Sequence, residues 1–196
     1  MMSPLLAERL SILLGPHLWL PFLLITFLFR TGLTEQQIKT LLPPLLILQV
    51  ITPLAYLYMA PRLGWASSWD LPRRIERLRF FILVFFVSSI SLLLVFFFGS
   101  KLLLYVSLLL FVLMMLTGFL TYFSKISLHV SLNTFGSVLV NVLFEWHLPF
   151  LYLSVPLVFW ARLILKKHTI NQLLAPIAIN GVVIVAALYY LGYVRF

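Results

Sequence analysis

Residues 80–98 read FFILVFFVSSISLLLVFFF, with no charged side chain anywhere in the run. Apolar residues fall on every face instead of alternating, so a transmembrane strand, with its dyad of lipid-facing and lumen-facing positions, is excluded. A helix of this composition has no polar face to turn toward water. About 20 such residues cross the hydrocarbon core of a bilayer, and a helix satisfies its own backbone groups there. The stretch therefore predicts a transmembrane helix.

The same reading extends in both directions. Gly99, Ser100 and Lys101 make a turn into a second uncharged run at 102–124. Further runs follow at 126–144, at 148–165, which Arg162 interrupts near its end, and at 169–194. Upstream lie 10–29, with an irregular start at Gly15, Pro16, His17 and Pro21, and 40–60, where Pro43, Pro44 and Pro53 predict kinks. Polar loops are expected at 30–39 and 61–79, the latter anchored at the interface by Trp65 and Trp69. The expectation is an all-α integral membrane helical bundle of six to seven transmembrane helices, forming a single membrane-embedded domain over 1–196.

Composition agrees. Apolar residues make up 63% of 196 and charged residues 10%, with a mean hydropathy of +1.11. A soluble domain of this length needs far more polar surface. The net charge of +9 sits in loops between apolar spans, which favours the membrane bilayer and lipid phosphates over nucleic acid as partners. No cysteine is present, which rules out disulfides and thiolate metal sites. The first fifteen residues carry Glu8 and Arg9 without a small-residue cleavage site and are not read as a removed signal peptide. The five carboxylates, Glu8, Glu35, Asp70, Glu76 and Glu145, are scattered, so no metal site and no cofactor is expected.

Three polar groups carry the chemistry. The runs at 80–98 and 102–124 form one hairpin, and those at 126–144 and 148–165 form another. On that topology Arg73–Arg79, Lys125–His129 and Arg162–His168 emerge on one membrane face. The positive-inside rule would put that face in the cytoplasm, unless the cations serve an anion site, in which case the side stays open. Arg73, Arg74, Arg77 and Arg79 can grip phosphate through planar forks, or form a basic patch on anionic lipid. Ser127 is an N-cap candidate that would set free N–H groups beside His129; alternatively it is a plain cap with an interfacial histidine. Thr169-x-x-Gln172 reads as a capping box placing His168 before another helix start. Arg162 is costly at membrane depth unless it faces a polar cavity or snorkels to the headgroups. Together, two histidines, two helix starts, Lys125 and several arginines suit a phosphate ester: cations hold the oxygens, one histidine attacks and another protonates the leaving oxygen.

At these residues the chain resembles the type-2 phosphatidic acid phosphatase superfamily, whose motifs are Lys-x6-Arg-Pro, Pro-Ser-Gly-His and Ser-Arg-x5-His-x3-Asp. Ala161-Arg162, His168 and Gln172 keep the third spacing, with Ala for Ser and Gln for Asp. Ile126-Ser127-Leu128-His129 keeps the Ser and His of the second. In the first, Pro72 stands where Lys would be, seven residues before Arg79, and Phe80 replaces Pro. Arg74, Glu76 and Arg77 are similar to an Arg-x-Glu-Arg run of a divergent bacterial branch. The resemblance implies a lipid phosphatase of a bacterial inner membrane that needs no metal, acting on phosphatidate-like or polyprenyl phosphates and diphosphates. It implies His168 as nucleophile forming a phospho-histidine and His129 as general acid. Arg162, Ser127, Lys125 and Arg74, Arg77 or Arg79 would bind phosphate, and Gln172 and Glu76 would be orienting residues. Two other readings remain: a binder or carrier of lipid phosphates without turnover, and a structural membrane subunit. Oligomeric state is left open.

Overall fold

A computed structural model describes residues 3–190. They are helical, with no strand among the described residues. The α-helices are α1 (Pro4–Leu13), α2 (Pro16–Arg30), α3 (Glu35–Leu46), α4 (Thr52–Arg62), α5 (Arg74–Phe98), α6 (Lys101–Phe123), α7 (Leu128–Leu143), α8 (Ser154–Ile164) and α9 (Ile170–Tyr190). Five helical stretches are long and apolar enough to cross a membrane: Pro4–Arg30, Glu35–Arg62, Arg74–Phe98, Lys101–Phe123 and Ile170–Tyr190.

The expected fifth and sixth spans occur as helices, but as the shorter apolar segments Leu128–Leu143 and Pro149–Ile164. At 16 residues, α7 is only about 24 Å long, against a hydrocarbon core of about 30 Å. Ser127 caps its start, and a Schellman turn ends it. Glu145 and Trp146 have φ of 52° and 65°, and the Trp146 and Glu145 N–H groups return to the Asn141 and Val142 carbonyls. Eleven of its sixteen residues are buried, so protein surrounds it and polar side chains can sit along it.

Other boundaries shift for local reasons. The first span begins at Pro4, behind Ser3 as N-cap, and breaks at Leu14–Gly15. Part of the expected loop at 30–39 is helical from Glu35, because Thr34 and Gln37 form a complete capping box. The helix through Pro43, Pro44 and Pro53 continues, with a π-helical turn at Ile47–Ile51 just ahead of Pro53. Both the N–H and the hydroxyl of Thr52 reach the Ile47 carbonyl, the longer register that accommodates a proline ring next in line. The expected end of the last span at Val194 lies outside the described residues.

The described residues form two compact units. One comprises 20–123. There α5 packs along α6, and α3 and α4 lie on α5. Gly118 allows the close α5–α6 approach, since a Cβ there would stand 2.8 Å from the Phe81 ring. The Ser100 hydroxyl donates to the Thr31 carbonyl at 2.6 Å and accepts from the Leu103 N–H, closing the α5–α6 turn. The other unit comprises 3–19 and 124–190. In it α7 packs on α8 and α9, and α1 packs on α8. Its apolar centre is Val130, Val158 and Leu173.

Candidate functional site

The second of these units brings two of the sequence motifs together. Ser127 is fully buried and is the N-cap of α7, its hydroxyl accepting from the Val130 N–H. Its own N–H donates to the Gln172 carbonyl at 3.3 Å. That carbonyl is available for a plain reason. Four residues on stands Pro176, which has no N–H to donate, so the intrahelical bond is missing. The N–H of the buried Ser127 needs an acceptor, and this carbonyl supplies it.

Two residues before Ser127, the Lys125 carbonyl lies 3.3 Å from Nδ1 of His168. A carbonyl only accepts, so this hydrogen bond is donated by Nδ1–H. His168 is half-buried, as is His129 in the first turn of α7. Main-chain groups thus tie Lys125–Ser127 to His168–Gln172 at two points. Gln172 does not supply the orienting side chain expected of it. Its Oε1 accepts from the Thr169 N–H at 3.2 Å, one half of the expected capping box.

Arg162 lies in the last turn of α8. It is 7% exposed, and its Nη1 donates to the Ser11 hydroxyl at 3.1 Å. The interior of the unit therefore holds it, where snorkelling to the headgroups was the alternative. The helix ends just beyond in another Schellman turn. Lys166 has φ of 51°, and the Lys166 and Lys167 N–H groups return to the Leu163 and Arg162 carbonyls. This turn leads the chain back to His168.

The remaining site residues belong to the unit 20–123, where each has local work. The Glu76 carboxylate is 3% exposed. It accepts from the Ser67 N–H at 2.8 Å, the Ser67 hydroxyl at 3.2 Å and the Arg73 N–H at 3.2 Å, so it closes the 67–73 loop over the start of α5. Arg77 donates to the Pro72 and Leu71 carbonyls at 2.7 and 3.3 Å, holding a backbone in which Leu71 has φ of 47°. Arg74 stacks on Tyr122, 3.6 Å from its ring centre. Arg79 reaches the Trp65 carbonyl at 3.4 Å. Among the described residues no group of acidic, histidine or cysteine side chains is placed to hold a metal ion.

Sequence reasoning missed the polar interior of α7. The Asn133 amide donates to the His129 and Leu14 carbonyls, each at 2.8 Å. Leu14 precedes the α1–α2 break, where the Leu18 N–H goes to the Gly15 carbonyl, so its carbonyl lacks the usual helical donor. Asn180 of α9 donates to the Ser131 carbonyl and hydroxyl, both at 2.9 Å. Asn141 donates to the Ser137 and Leu148 carbonyls and accepts from the Leu148 N–H. The signal was present: Asn133, Ser137 and Asn141 recur at helical spacing in a run otherwise apolar enough for lipid. Compared with known proteins, the chain matches no family model, no curated protein and no solved structure.

Proposed function

We propose that this chain is a lipid phosphatase of the membrane surface. It would cleave the phosphate monoester or diphosphate of a phosphatidate-like or polyprenyl lipid through a phospho-histidine. The observation that carries the reading is the double tie between Lys125–Ser127 and His168–Gln172, which joins two motifs over 40 positions apart around one imidazole.

In this reading Nε2 of His168 attacks phosphorus and the lipid P–O bond breaks. His129, as imidazolium, gives its proton to the departing lipid oxygen. Water, relieved of a proton by the now neutral His129, then attacks phosphorus, breaks the P–N bond and releases phosphate. In this reading the Lys125 carbonyl takes over the part of a carboxylate, accepting a hydrogen bond from Nδ1–H as the ring becomes positive. Arg162, Lys125 and the N–H groups opening α7 at Ser127 stabilise the phosphoryl oxygens. Side chains and backbone suffice for this route, which requires no metal or cofactor. A bacterial inner membrane is the proposed setting.

The test is phosphate release from phosphatidate and from polyprenyl phosphates in mixed micelles. His168→Ala and His129→Ala should each lower kcat by at least about 100-fold, the usual scale for losing a nucleophile or a general acid. Unchanged release in both, with the fold intact, would end the proposal. One observation favours a second reading, a binder without turnover. Gln172 is neutral and its Oε1 is engaged by Thr169, so this position brings no negative charge to steady an imidazolium. That reading expects wild-type binding of lipid phosphate with no release.

A further inference from the structure

We propose that Ser11 is a positioning residue for the phosphate-binding arginine, and that α1 is the strut on which both arms of the site are set; the inference rests on the reading just given. Ser11 and Arg162 are 151 positions apart. They meet inside one compact unit, at 6% and 7% exposure. A hydrogen bond to a charged group in such a poorly solvated place is stronger than the same bond in water.

The partner's chemistry matters as much as its position. A serine hydroxyl is neutral. It fixes one corner of the guanidinium without cancelling its charge, whereas a carboxylate in the same place would do both. A guanidinium is rigid and planar, so fixing one N–H leaves only the direction of that bond and rotation about it to be set.

The same short helix also reaches the other arm. Three residues after Ser11, the Leu14 carbonyl accepts from Asn133, whose amide equally grips the His129 carbonyl. α1 therefore touches Arg162 through Ser11, and its C-cap residue, Leu14, is joined through Asn133 to the first turn of α7. No motif resemblance involves this segment. Its part in the site follows from these two contacts.

The experiment uses the full chain, purified in detergent and checked for monodispersity. It measures the Kd of inorganic phosphate and of orthovanadate, and the KM and kcat for phosphatidate in mixed micelles. Ser11→Ala should weaken phosphate binding and raise KM about 10-fold, the scale of one hydrogen bond to a charged group, with kcat changed less than about 3-fold because ground and transition states lose the same contact. Ser11→Thr, which keeps the hydroxyl, should restore both values. Ser11→Asp, which adds the cancelling charge, should weaken phosphate binding more than Ser11→Ala does.

Equal phosphate Kd in wild type and Ser11→Ala overturns the inference, as does a loss in Ser11→Ala that Ser11→Thr fails to restore. Wild-type protein that neither binds nor releases phosphate overturns the phosphatase reading itself. Binding without release, still sensitive to Ser11, retains this inference while removing catalysis.

Discussion

Replacing Asn141 tests whether the polar interior of α7 sets the length of that helix. Asn141 is fully buried. Its side chain makes three bonds, to the Ser137 carbonyl at 2.9 Å, to the Leu148 carbonyl at 2.9 Å and from the Leu148 N–H at 3.1 Å. Together the last two copy a peptide pair, so the amide stands in for a strand or helix neighbour that Leu148 lacks. At about 1 kcal/mol net per bond, Asn141→Ala should cost about 3 kcal/mol. Interhelical bonds in bilayers average about 0.6 kcal/mol, which gives about 2 kcal/mol as the lower figure. Asn141→Asp should cost more than Asn141→Ala, because a carboxylate cannot donate to the two carbonyls and would face both lone pairs. Urea or SDS unfolding of the detergent-solubilised protein, followed by circular dichroism, gives the difference. An Asn141→Ala protein within about 0.5 kcal/mol of wild type, the ordinary range for inconsequential substitutions, would refute the claim that this amide holds the α7–α8 connection.

Two further outcomes follow from local geometry. Gly118→Ala puts a methyl 2.8 Å from the buried Phe81 ring, and should cost about 1–3 kcal/mol in the same unfolding assay; a neutral result would mean that α5 and α6 do not approach as described. Lys166 holds φ of 51° at the end of α8, a conformation that costs an L-residue about 1–2 kcal/mol. Glycine escapes that cost but gives back about 0.5–1 kcal/mol of chain entropy, so Lys166→Gly should be as stable as wild type or up to about 1.5 kcal/mol more stable. Lys166→Val should be clearly less stable, and the reverse order of melting temperatures would contradict the left-handed assignment.

The apolar runs were legible because hydropathy depends on nearest neighbours alone. Residues 102–124 appear as α6 almost to the residue, and 80–98 end with α5, which begins earlier, at Arg74, inside the stretch expected to be loop. The cap at Ser127 was legible too, because Ser before a periodic run is a local signal. The same kind of signal, Thr34-x-x-Gln37, sat inside a stretch read as loop because its charged residues outweighed its capping chemistry. The lengths of α7 and α8 were hidden for another reason. Residues 126–144 average as apolar, and averaging erases the fact that Asn133, Ser137 and Asn141 turn inward. Ser11 with Arg162 and Leu14 with Asn133 could not be read at all, since each pairs residues more than a hundred positions apart. At Arg73–Arg79 the charge was obvious and its use was not: a capping carboxylate, a tyrosine ring and loop carbonyls occupy groups that composition alone offered to an anion.

The proline at position 176 does its part through an atom it lacks. Were any other residue there, its amide would compete for the Gln172 oxygen, and Ser127 would have to share that acceptor or seek another at depth. The seam between the two motifs is thus specified by a ring outside both, and a substitution that improves α9 as an isolated helix would loosen the seat of His168.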